Sequence, residues 1–183
     1  MQGREVSRVE VGLETERLIM RRWVSGQAQA WFTIFGDPEV TRLTFGAPHA
    51  DLAYSQRVME STIRKSARAQ PLGWWAVVEH ASHAIIGTIG LNAMPEQGTA
   101  ELGYHFRRSA WGKGYATEAV RAVVAYGLGL GGCKRIVACM HPANGASRRV
   151  LAKNGFRQLA ATTDEGNHEE HFELTRHDGA LQA

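Results

Sequence analysis

The chain has 183 residues, 44% hydrophobic and 21% charged, enough to bury one full-sized core, and one domain is the default expectation. No apolar run approaches the length that spans a bilayer, and the opening residues lack the apolar centre of a signal peptide, so a soluble cytoplasmic protein with no membrane partner is expected. A net charge of +3 and a pI near 9.1 come from Lys and Arg scattered among 18 acidic residues without interleaved aromatics, which argues against direct nucleic-acid binding and for polyanionic small ligands.

Residues 1–14 read as a loose tail, and residues 15–183 as the single domain. The segment 15–23 is a first strand with Leu18 and Met20 on one face. Ser25 suits the N-cap of a helix through Ala30, Trp31 and Ile34 to Phe35, stopped by Gly36-Asp37-Pro38. Residues 41–49 are irregular, and Asp51 caps a second helix through Tyr54, Met59 and Ile63 to about Ala69. A meander follows: strands at 74–79 and 84–92 joined by a polar turn, then a third strand at 99–106.

Next comes a glycine-bearing turn, Arg107 to Gly114, leading into a long helix. Ala116, Ala119, Val120, Val123, Val124 and Leu128 recur at helical spacing, so one face is expected to be buried. Gly112 and Gly114 let the backbone approach a ligand closely, and the unpaired N–H groups of the first helical turn point ahead with the positive dipole end behind them. Such an entrance is a phosphate cradle. A nucleoside-triphosphate loop is excluded because Arg107 stands where its first Gly belongs and Gly114 where Ser or Thr belongs; a dinucleotide fingerprint is excluded because Thr117 replaces its third Gly. Residues 135–140 form a strand parallel to 99–106 by right-handed crossover, and Cys133 and Cys139 flank this passage as free thiols, with no metal implied. Asn144 caps a helix through Ser147 and Leu151 that closes at Gly155, and strands near 157–163 and 169–175, joined by a turn at 164–167, complete the chain.

The loop Trp111-Gly-Lys-Gly-Tyr-Ala-Thr-Glu-Ala119 resembles the acetyl-CoA pyrophosphate loop of the GNAT acetyltransferase superfamily, with Gly114 and Ala116 at its last two fixed positions. Trp111 stands where Gln or Arg is usual, a departure common in the RimJ/RimL branch. Asn144-Gly-Ala-Ser147, followed by Lys153-Asn-Gly155-Phe156, is similar to a signature of the same branch, and the order of elements matches from about residue 15 to 175. The resemblance implies a mixed α+β fold: a central, mostly antiparallel sheet of about six or seven strands flanked by about four helices. It implies acetyl-CoA as acyl donor and a primary amine as acceptor, either a protein N-terminus, as in ribosomal-protein acetylation, or a small molecule. Backbone N–H groups near Tyr104, His105 and Phe106 would bind the acetyl oxygen. Those of Gly112, Lys113, Gly114, Tyr115, Ala116 and Thr117 would hold the pyrophosphate, with charge added by Lys113 and by Arg107 or Arg108. Asn144 would bind the pantetheine, and Ser147 would meet the departing sulfur in place of the tyrosine many relatives carry, since Leu151 occupies that position.

Glu101 is the candidate general base, because strand alternation can send its carboxylate toward the amine side of an opened sheet. His105 and His168 are the alternatives. Glu169-Glu170 stand where a His-Asp pair is common, which loosens the subgroup assignment of substrate. Another acyl-CoA donor, a non-catalytic CoA-binding sensor and a protein-interaction module stay open, as do monomer and homodimer.

Overall fold

Eight strands form one sheet in the order β1-β2-β3-β4-β5-β6-β8-β7. This is a computed structural model, and it describes residues 11–44, 46–159 and 169–176. In chain order the elements are β1 Val11–Glu14, β2 Leu18–Arg22, α1 Ala28–Phe35, α2 Pro38–Thr41, α3 Leu52–Arg68, β3 Gly73–Glu79, β4 Ile85–Ala93 and β5 Thr99–Phe106. A 3-10 turn at Arg108–Ala110 leads to α4 Tyr115–Leu128, β6 Arg135–Met140, α5 Gly145–Lys153, β7 Arg157–Gln158 and β8 Glu170–Thr175. Every neighbouring pair is antiparallel except β5 and β6, which the α4 crossover makes parallel. The mixed, mostly antiparallel sheet is the expected one, with eight strands and five α-helices among the described residues where about six or seven and about four are expected.

The differences have local causes. Val11–Glu14, inside the stretch expected as tail, pairs with β2 and extends the sheet by one strand. Helix α1 starts after Gln27 with no side-chain cap, not at Ser25, because Gly26 turns the chain at φ +93° first. Asp37 both follows the stop of α1 and caps the short α2, its Oδ1 accepting from Glu39 N at 2.9 Å with Pro38 at the first helical position. Of the final hairpin, residues 160–168 lie outside the described residues, so the expected 164–167 turn does too.

The sheet carries a helical layer on each face. Trp31, Ile34 and Met59 from α1 and α3 bury against Ala76 on one face; α4 and α5 lie on the other, where Val120, Val123 and Leu151 meet Ile89, Leu91 and Ile136. Each such side chain contributes about 1.5–3 kcal/mol on burial. Gly127 brings α4 close to the sheet, since a Cβ there would sit 2.7 Å from Leu91 Cδ1. On the opposite face Trp74, Gly90 and Gly103 stand in one cross-strand row. Cβ atoms at the two glycines would lie 2.5 Å and 2.7 Å from Trp74, so the indole lies flat across both, its Nε1 donating to Asn92 Oδ1 at 2.8 Å. No described helix is long and apolar enough to cross a membrane.

Candidate active site

Strands β5 and β6 pair only at Thr99↔Arg135, Ala100↔Ile136 and Glu101↔Val137. Beyond that point β5 stays on β4 as far as Phe106 and β6 stays on β8 as far as Met140, so the right-handed twist carries them apart. The gap is a cleft of about 180 Å³ walled by residues 101–105 of β5, residues 138–140 of β6, and Asn144, Ser147 and Leu151 of α5.

Side chains alternate along β5, so Glu101 and Tyr104 leave the strand on opposite faces. Glu101 Oε1 accepts a hydrogen bond from the Cys139 thiol at 3.1 Å. Burial, with the hydrogen bond and charge of Glu101, pushes the Cys139 pKa up to about 12, so it remains a thiol and a donor. On the α5 side the Tyr104 hydroxyl lies 2.6 Å from Ser147 Oγ. Burial pushes the phenol up to about 12 against the opposing effect of the Ser147 hydrogen bond, so it too stays protonated. Ser147 is held by the Asn144 cap, whose Oδ1 accepts from Ser147 N at 3.0 Å. Leu151, at the position where a tyrosine acid was sought, is buried in the core. A phenol reaches Ser147 from β5 instead, a contact the sequence hints at only through the alternation of Leu102, Tyr104 and Phe106.

His105 packs its ring 4.7 Å from Phe35, and its buried Nδ1 has no hydrogen-bond partner among the described residues. Burial pushes its pKa down to about 4, which leaves a neutral imidazole at pH 7. His168 lies outside the described residues, and Glu170 is engaged by Arg148 at 2.6 Å.

At the α4 entrance Gly112 and Gly114 take φ of +74° and +81°. The amide N–H groups from Gly112 to Thr117 donate to no described residue, and Glu118 N makes the first helical bond, to Gly114 O. The Tyr115 hydroxyl is turned away to the Glu79 carboxylate, which also accepts from Ser82. Those two bonds, Ser82's first, hold Glu79 below the usual carboxylate range, helped by the nearby charges of Lys113 and Arg107. Phe106 is buried, and its carbonyl accepts from Trp111 Nε1 at 2.7 Å. Arg108 is paired with Asp37 at 2.7 Å, while Lys113 and Arg107 lie close enough to Glu79 to act on its charge.

Arg17 escaped sequence reasoning. It sits in the β1–β2 turn, donates to Lys113 O at 3.0 Å and pairs with Glu118 at 2.6 Å, with its guanidinium 4.7 Å from the Tyr115 ring centre. Burial opposes charge on Glu118, but hydrogen bonds from Thr15 and Arg17 outweigh it and hold the carboxyl below its ordinary pKa. The loop is thus clamped from a segment about a hundred residues earlier, with no local pattern to betray it.

A second, larger cavity of about 500 Å³ lies between α1, α3 and β3–β5, and it shares Trp74, Asn92 and His105 with the cleft.

A sheet opened between its two parallel strands, in front of a helix entered through two left-handed glycines, is the layout of an acetyltransferase domain. Residues 17–157 match the family described as "Acetyltransferase (GNAT) domain", and the chain belongs to that family. It is 33% identical over 147 residues to "Uncharacterized N-acetyltransferase YoaA" of Bacillus subtilis, covering 80% of this chain and 82% of that one. Among solved structures, a GNAT-family acetyltransferase from Bacillus anthracis superposes with a TM-score of 0.79 at 22% identity, covering 90% of this chain and 98% of that one. RimL, titled a ribosomal L7/L12 alpha-N-protein acetyltransferase in complex with coenzyme A, gives 0.77 at 16%, covering 91% and 98%. The RimJ/RimL-like resemblance therefore holds at the level of fold.

Proposed function

We propose that the protein transfers the acetyl group of acetyl-CoA directly to a primary amine, within a ternary complex and without a metal. The observation that carries this reading is the two-faced cleft, with a carboxylate on one side and a pair of hydroxyls on the other. The fit of CoA is supported by unpartnered amides from Gly112 to Thr117 and by the unpaired inner edges of β5 and β6.

Acetyl-CoA supplies the acyl group as a thioester; the rest falls to the chain. Amides from Gly112 to Thr117 hold the diphosphate, with Lys113 and Arg107 adding charge. The Asn144 amide nitrogen, free of the cap made by its oxygen, serves the pantetheine. A backbone N–H near Tyr104 to Phe106 steadies the charge that develops on the carbonyl oxygen. Glu101 takes the proton the amine loses as its nitrogen bonds to the carbonyl carbon, directly or through water. As the carbon–sulfur bond breaks, the Ser147 hydroxyl donates a hydrogen bond to the departing sulfur, the Tyr104 hydroxyl supports Ser147 Oγ from behind, and the thiolate leaves to take its proton from water. Positioned acid and base groups of this kind contribute about 10²- to 10⁴-fold each. An α-amine, with pKa near 7.7–8.0, is neutral in roughly a tenth of molecules at pH 7 and asks less of Glu101 than a lysine at about 10.4.

The test is product formation from acetyl-CoA and a panel of amines, alongside calorimetric CoA binding. Turnover with acetyl-CoA above that with longer acyl donors is expected. CoA binding without transfer to any amine would replace the enzyme with a sensor.

A further inference from the structure

The larger cavity adjoins the cleft on the face that Glu101 shares with Trp74, and its walls are chemically one-sided. Trp31 and Phe35 of α1 and Trp74 of β3 supply aromatic surface, and Lys65 of α3 is its only charged lining group among the described residues. Lys65 is exposed, and no ion pair ties it to a described residue. The cleft adds one more charge, Glu101. Two buried ring nitrogens on the walls, Trp31 Nε1 and His105 Nδ1, have no hydrogen-bond partner among the described residues. Native interiors rarely leave such groups unpaired, and their gathering at one cavity fits a site completed by a ligand.

Resting on the transfer reading above, we propose that this cavity is the acceptor site and takes a small primary amine with a flat apolar body and an anionic group at the end remote from the amine. The amine lies at Glu101, the body on Trp74, and the anion at Lys65. The spacing follows from the sheet. Lys65 adjoins Ser66, whose Oγ accepts from Trp74 N on β3 at 3.0 Å, and Glu101 stands two strands away on β5. At about 4.8 Å per strand and about 3.4 Å for each of the two residue steps between Glu101 and Gly103 in the Trp74 row, the strand positions of Trp74 and Glu101 lie on the order of 12 Å apart, which sets the scale between the two charged groups. An α-amino acid, with both groups on one carbon, cannot span that distance. A polyamine meets Lys65 with a second positive charge and finds no second carboxylate among the described lining residues. The combined space suits a small molecule, whose sites run to about 300–1,000 Å³.

The experiment is calorimetric titration of the full chain, free and saturated with CoA, with 4-(aminomethyl)benzoate, benzylamine and spermidine. The carboxylated amine should bind at least tenfold more tightly than benzylamine, and spermidine most weakly. Lys65→Glu and Lys65→Ala should abolish the advantage of the carboxylate while CoA affinity stays at the wild-type value. Equal affinity for the first two amines, preference for spermidine, or no binding of the carboxylated one overturns the assignment. Loss of CoA binding in wild type would instead sink the transfer reading, and titration of the free chain would still report on the cavity.

Discussion

Three positions along β5 separate the proposed base from the proposed hydroxyl pair: Glu101 faces one side of the cleft and Tyr104 the other, where it meets Ser147. If Tyr104 works through Ser147, Tyr104→Phe should lower kcat about tenfold, the effect of one lost hydrogen bond of roughly 1.4 kcal/mol, with CoA affinity unchanged. The double variant Tyr104→Phe/Ser147→Ala should be no slower than Ser147→Ala alone, and steady-state kinetics showing multiplied effects would make the two hydroxyls independent. Glu101→Gln should slow turnover most below the pKa of the acceptor amine, where a proton must be removed, with the deficit shrinking as pH rises and free amine accumulates. A pH–rate profile parallel to wild type at every pH would remove Glu101 as base. The positions of Glu101 and Ser147 at the cleft were legible because a strand phase and a helix cap place them. The Tyr104 side chain was not, since its partner is 43 residues away and the meeting depends on the angle at which α5 docks.

The helix α4 and its entrance form the element on which the proposed CoA binding turns. Its buried face, Ala119, Val120, Val123 and Val124, follows from periodicity, and so does the need for glycine at its mouth. Gly114→Val puts a branched side chain at φ +81°, where L-residues cost about 1–2 kcal/mol, with the new Cβ 3.4 Å from Arg17 Nη2. CoA affinity should fall at least tenfold in calorimetry while the circular dichroism spectrum is retained and the melting point drops by about 2–8 °C. Unchanged affinity would place the diphosphate elsewhere. The Arg17 clamp was hidden because it needs the β1–β2 turn to arrive at α4, and Val11–Glu14 carries too short a pattern to announce a strand. The missed start of α1 is a case of a polar residue well suited to capping, Ser25, overruled by a glycine turn beside it.

Across the whole molecule, the layer between α1, α3 and the sheet stores a pH dependence. His105 is depressed to about 4 by burial, and His49 is lowered by the same cause. An unfolded imidazole near pKa 6.5 binds a proton that the folded one refuses, so this stability is complete above about pH 6.5 and is lost as pH falls toward 4. For His105 alone the loss approaches about 3 kcal/mol. Thermal unfolding followed from pH 7.5 to 4.5 should show that decline, and His105→Phe, which keeps a ring against Phe35, should flatten it. An undiminished slope in the variant would assign the titration to other groups. On the same face, Trp74 occupies the volume that side chains at Gly90 and Gly103 would claim. Those three positions are therefore interchangeable only as a set: trading the indole for a smaller ring opens room for alanine at 90 on β4 and at 103 on β5, and alanine at 103 alone would press on the indole edge at 2.7 Å. The volumes at 90 and 103 thus set where the Trp74 ring rests, and with it the shape of the cavity floor.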